Sequence, residues 1–300
     1  MKRLFVNLSS QTKSVLKKGT VMILCMMMVG TGMFNSCKKD NVFNNMKQED
    51  VSPVKQKRPL NDAEKKVVSL TDAAGALIGA AAGSMLGPVG AAAGAVIGGI
   101  AASLEMRREI ENGTIVIQSE SLPNIDNSPA GNDNNPYDYI GRMHYLAMND
   151  FLVNPSRYCD ANGKFSPEIY YGNIVNMLPN YTTAIPQSVI ANFGIDNVTT
   201  SIDMSSKPME TILQGTGTII STELKYLLIE YENYSKTCTS FDIFYNYSVS
   251  KEKDVLNNAF FSDVEKQVAL SYMSTLRWGY WYWDNIQDAI VPPTIPITTE

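Results

Sequence analysis

Histidine, cysteine and clustered acids are the side chains most often recruited for chemistry, and this sequence groups them sparsely. His144 is the only histidine. It repeats with Ile140, Ala147 and Phe151 on one face of a helical pattern, where a hydrogen-bonded core or rim histidine fits better than a general base or a metal ligand. A catalytic zinc takes three protein ligands, and one histidine with four scattered cysteines and no HExxH motif does not supply them. Asp160, Asn162, Gly163 and Glu168 have the residue types of a calcium loop. Setting Gly163 at the turn position puts Tyr158 first and Ile169 last, where carboxylates are required, so an Asn-Gly turn is expected. There is no GxSxG elbow, no phosphate-cradling glycine loop with a following Lys and Ser/Thr, and no dinucleotide fingerprint. The chain therefore reads as a non-enzyme with no catalytic residue, cofactor or metal. A hydrolase working through unrecognised carboxylates is a third reading behind the two given below.

The element that must position everything else is the stretch from Leu70 to Leu104. No charge lies between Asp72 and Glu105, and the stretch is built almost wholly of Ala, Gly and small aliphatics. Gly75, Gly79, Gly83 and Gly87, then Gly90, Gly94 and Gly98, fall at intervals of four and line helix faces that another backbone can approach closely. The segment Ala73–Gly79 recurs as Ala92–Gly98, so two similar arms joined at Gly87-Pro88 are expected over residues 70–105. Each interior glycine costs about 1 kcal/mol relative to Ala, so arms this rich in glycine need something packed on them. A bilayer, a second copy, or the chain's own C-terminal domain would serve.

Residues 1–36 carry five basic side chains and no acid before an apolar run, Val21 to Phe34, which is the layout of a secretory signal. The segment Met33-Phe34-Asn35-Ser36-Cys37 resembles a bacterial lipobox. That resemblance implies acylation of Cys37 and a lipoprotein of the cell envelope, and Lys38 in place of Asp points to the outer membrane. An ordinary signal peptide with an incidental cysteine is the alternative. Residues 37–69 are rich in Lys, Asn, Asp and Gln and read as a flexible tether. Taken with Cys37, the duplicated glycine pattern resembles the glycine-zipper segment of bacterial envelope lipoproteins with two short membrane helices. It is also similar to the glycine-zipper segments of secreted bacteriocins and contact-dependent toxins. Either resemblance implies a membrane contact and a possible homo-oligomer through the zipper, and neither accounts for the large domain that follows.

That domain follows a turn-rich linker over 106–135, in which Gly113 to Gln118 is a strand candidate. Over 136–290 an all-α bundle is expected. Asn135-Pro136 with Asp138 reads as one helix start, Ser166-Pro167-Glu168 as a second and Ser262 with Glu265 as a capping box. A long amphipathic pattern spans Ser206 to Tyr234, weakened at Gly215 and Gly217, and 291–300 is a Pro-rich tail. The run Trp278 to Trp283 places rings on all sides of a helix, which suits a partner interface, a headgroup layer, or core and rim packing. Beyond Met106 the chain has 12 basic and 23 acidic residues, so nucleic acid is not an expected partner. Cys159 and Cys238, exported, could close one disulfide or stay as buried thiols. The leading expectation is a non-enzymatic envelope lipoprotein with an acidic helical domain for an unknown protein partner. The alternative is a bacteriocin-like, membrane-active toxin.

Overall fold

The computed structural model describes residues 60–110 and 122–286. The signal region, Cys37, most of the tether, the strand candidate at Gly113–Gln118 and the Pro-rich tail lie outside the described residues. Among the described residues 77% are helical and none is in a strand, so the fold is all-α.

Helix α1 (Asp62–Gly83) begins at a capping box. Asn61 Oδ1 accepts the Glu64 N–H at 3.0 Å, and Glu64 Oε2 accepts the Asn61 N–H at 2.9 Å, which satisfies two of the donors a helix start leaves free. Because the cap lies at Asn61, residues 62–69 form the first two turns of the helix rather than the end of a tether. A short 3-10 turn, Ser84–Leu86, closes α1, and Gly87 at φ +82° reverses the chain. Pro88 then falls in the first turn of α2 (Gly87–Ile110), where its missing N–H leaves no helical bond unmade. Pro88 opens the second arm instead of stopping the first. Gly87 leaves the packing set expected from its spacing: a Cβ there would meet nothing within 4 Å, and its role is the positive φ.

The other six glycines meet in antiparallel pairs. A Cβ on Gly79 would lie 2.0 Å from the Gly94 carbonyl oxygen, one on Gly83 2.1 Å from that of Gly90, and one on Gly75 2.5 Å from that of Gly98. Backbone thus touches backbone along the whole hairpin. The remaining faces are covered by α3 (Asp138–Val153), α4 (Pro167–Met177), α5 (Gln187–Phe193), α6 (Ile195–Ser205), α7 (Met209–Gly215) and α10 (Asp263–Asn285), while α8 (Thr222–Thr237) and α9 (Phe241–Asn257) pack on α10. Ala73, Ala76, Leu77, Ala80, Ala92, Ala93, Val96, Ile97 and Ile100 are fully buried. The hairpin is the core of the helical body, one compact unit with it. Of the three covers the sequence leaves open, the chain's own helices are the one found here.

The same central position explains the aromatic run. Helix α10 is enclosed by α1, α3, α9 and α2, so Trp278, Tyr280, Tyr282 and Trp283 on different sides are all buried and only Trp281 is partly exposed. The N-cap at Ser166 and the capping box at Ser262 start α4 and α10 as their spacing predicts. The pattern over Ser206–Tyr234 is two helices, because Gly217 at φ +62° breaks it and Ser221 caps a fresh start. Helix α3 begins at Asp138, two residues later than the Asn135 cap implies. Asn135 Oδ1 accepts the Tyr137 N–H at 2.9 Å and so makes a turn.

Candidate functional site

Two polar clusters lie inside this apolar body. The first is centred on Asp72, which α1 directs toward α3 and α10. Tyr145 donates its hydroxyl to Asp72 Oδ2 at 2.6 Å and Trp283 donates its indole N–H to the same oxygen at 2.8 Å. His144 Nε2 stands 4.0 Å away, Ser103 of α2 adjoins the carboxyl, and the Arg107 guanidinium lies 5.4 Å over the Trp283 ring. None of these side chains reaches solvent. Glycines make the space: a Cβ on Gly99 would be 2.8 Å from the His144 ring, and one on Gly279 2.5 Å from the Tyr145 hydroxyl.

Burial pushes the Asp72 carboxyl up to about 7, against hydrogen bonds from Ser103, Trp283 and Tyr145 that lower it. Burial alone pushes His144 down to about 3. Between about pH 3 and pH 7 the folded pair therefore holds one proton, on Asp72, and His144 is neutral.

The linkage between these shifts has opposite signs at the two residues. A raised carboxyl stabilises fully below its unfolded value of 3.8 and loses that contribution as pH rises to about 7. A depressed histidine stabilises fully above 6.5 and loses that contribution as pH falls toward 3. Between about pH 4 and 6.5 the unfolded chain also holds one proton, on His144, so the two slopes cancel. Replacing one partner unmasks the other. In urea titrations at pH 4.5, 5.5 and 6.5, Asp72→Asn will gain stability as pH rises and His144→Gln will lose it, each by about 1.4 kcal/mol per pH unit. Parallel or flat profiles in the two variants would rule out the one-proton pair.

The second cluster is built on Arg277 and Glu252, both fully buried. Arg277 Nε donates to Glu252 Oε1 at 2.9 Å, and Arg277 Nη2 bonds the Asp138 carboxylate. Glu252 Oε2 also accepts from Asn132 Nδ2 at 2.7 Å and Asn135 Nδ2 at 3.0 Å, and Ser248 donates to Oε1 at 3.0 Å. Trp278 and the Asn132 N–H complete Asp138. Burial opposes the charge on Arg277, but Glu252 and Asp138 outweigh it and hold the guanidinium protonated. One hub thus ties α3, α9 and α10 to residues 132–135, which read from sequence as the end of a free linker.

The Asp72 cluster is closed to solvent, and in the second only the Asp138 side chain, 15% exposed, reaches the surface. Two openings lie elsewhere. A cavity of about 30 Å3, room for one water, is lined by Lys66, Ser69, Cys238 and Tyr280 among others, and an apolar groove of about 220 Å3 runs between α7 and α8 past Leu213, Tyr226 and Ile229.

The remaining sequence candidates fall as follows. Cys37 lies outside the described residues. Cys159 and Cys238 are free buried thiols, not the disulfide the sequence allowed. Cys159 bridges to Phe165 across a turn, and burial pushes its thiol up to about 11. Cys238 ends α8, its carbonyl accepting Lys66 Nζ at 2.6 Å. The calcium-like segment is the expected turn: Asp160 Oδ1 accepts the N–H groups of Lys164 and Asn162, both at 2.9 Å, and Gly163 sits at φ +74°. His144 occupies the core position its helix face predicts, without a hydrogen bond to either ring nitrogen. Sequence reasoning takes Asp72 as the edge of the apolar stretch and misses it as a centre; the available signal was an acid one turn before Gly75 and two turns before Gly79. It also misses Arg277 with Glu252, which carry no local signature. No family model, curated protein or solved structure matches the chain.

Proposed function

We propose that this chain is a non-enzymatic bacterial envelope lipoprotein, moored through acylated Cys37 in the outer membrane, whose acidic helical body acts by binding a protein partner. The observation that carries the reading is where the reactive groups are. Asp72, His144, Glu252 and Arg277 are each 0% exposed and lie in two interior clusters, so they stabilise the body and leave recognition to its surface. The lipobox-like residues ending at Cys37 and the 22 residues from Lys38 to Pro59 supply an anchor and a lead to the first helix. Mass spectrometry of the mature N-terminus tests the anchor. Acylated Cys37 is the expected terminus, and Cys37→Ala will move the chain from the membrane to the soluble fraction. A mature chain beginning elsewhere, with an unmodified residue, would overturn the reading.

A second reading, a bacteriocin-like membrane-active protein, is favoured by one feature: Asp62–Ile110 is long and apolar enough to cross a bilayer. Insertion would have to strip α3, α6 and α10 from the hairpin while keeping its glycine pairs. Purified chain lacking the signal will leave dye-loaded liposomes intact under the first reading and empty them under the second.

A further inference from the structure

The hairpin turn and the start of α10 form one apolar end of the molecule. At the turn, Met85 is 65% exposed, Leu86 44% and Val89 38%. Helix α10 runs antiparallel to α1: Trp283 is level with Asp72, and Gln267 Nε2 donates to the Pro88 carbonyl at 2.6 Å. Its first turn therefore reaches the level of the hairpin turn and passes it. There Val264 is 39% exposed, one turn before Gln267 on the same side, and Phe260 is 95% exposed. A solvated phenylalanine two residues before the Ser262 cap, at the same end as an exposed Met, Leu and two Val, is apolar surface that folding leaves uncovered.

We propose that this end docks on the face of a lipid bilayer, the one in which Cys37 is anchored; the inference rests on the anchoring reading above. Chain length makes the contact reachable. Leu60 lies at the opposite end of α1, which at 22 residues is about 33 Å long. The 22 residues from Lys38 to Pro59 span up to about 75 Å when extended, enough to run back along the body to the membrane. Charge fits a lipid surface of low charge. The hairpin has no ionisable side chain between Asp72 and Glu105, and the first turn of α10 adds Asp263, Glu265 and Lys266, so attraction to anionic headgroups is not the driving force. Contact places Met85, Leu86, Val89, Phe260 and Val264 at the acyl boundary and leaves the glycine pairs and their helical cover unchanged. The hairpin stays in the protein core, and only its turn touches lipid.

The test is hydrogen exchange of the full mature chain with and without phosphatidylcholine vesicles. Vesicles should slow exchange at residues 85–90 and 260–264 at least fivefold, with the rest of α1 and α2 unaltered. A Met85→Asp, Phe260→Asp double variant, both sites exposed and free of core contacts, should lose that slowing yet still co-sediment through its acyl chains. Wild-type chain that co-sediments with no slowing at the turn overturns the docking inference and leaves anchoring intact. Failure of wild-type to co-sediment, with an unmodified Cys37, overturns the anchoring reading instead; the tip inference then survives only if added vesicles still slow the turn. Protection that rises with protein concentration without vesicles assigns the surface to a second copy and overturns a lipid contact.

Discussion

Gly79→Ala will destabilise the protein by about 3 kcal/mol, although alanine is the better helix former by about 1 kcal/mol. The added methyl would lie 2.0 Å from the Gly94 carbonyl oxygen and 2.7 Å from its carbon. Both are backbone atoms of a helix, so relief requires the two arms to separate. Separation opens the contacts at Gly75 with Gly98 and Gly83 with Gly90, because one rigid interface carries all three. Gly172→Ala is the control. Gly172 lies inside α4, is exposed, and has nothing within 4 Å of its would-be Cβ, so there the propensity term acts alone and stability should rise by about 1 kcal/mol. Urea unfolding midpoints read both effects. Two variants shifting in the same direction would show that the arms do not pack glycine to glycine.

Arg277→Met will cost about 4 kcal/mol, since it leaves buried Glu252 and partly buried Asp138 with no cation between them. Arg277 itself is 0% exposed and Glu252 likewise, so water cannot substitute for the lost partner. The double variant Arg277→Met, Glu252→Leu should recover about 2 kcal/mol of that loss, as removal of both members takes away the uncompensated charge. Recovery stops short of wild type because Asn132, Asn135 and Ser248 lose their acceptor. At the surface pair of Lys251 and Glu230, 3.0 Å apart with Glu230 64% exposed, Glu230→Ala should change stability by less than about 1 kcal/mol. A double-mutant cycle on chemical unfolding gives the coupling directly. Additive losses at Arg277 and Glu252 would mean the hub is not one unit.

Much of the hairpin was legible. The interval of four, the duplicated arms and the break near Gly87-Pro88 follow from helix geometry, because glycine at that spacing has one common use, close approach of another backbone. The capping box at Ser262 with Glu265 was legible for a similar reason, since it acts within three residues; the equivalent box at Asn61 with Glu64 was passed over inside a polar stretch that read as tether. What failed was distance along the chain. Helix α9 went unread among its many polar residues, and the 206–234 pattern hid a break that a single positive φ at Gly217 makes. Met85 and Phe260 stand 175 positions apart, so no local pattern unites them.

By itself the sequence determined that these are helices, that two arms of small residues must lie against something, and that the usual catalytic motifs are missing. Only the tertiary structure decided what the arms lie against. Propensity, capping and periodicity are properties of neighbouring residues, whereas the cover of a glycine face depends on which distant surface buries it at lowest cost. Here α3, α6 and α10 do so, and polar groups that read as an edge and a linker are drawn inside by the same packing, Asp72 into one cluster and Asn132 with Arg277 into another.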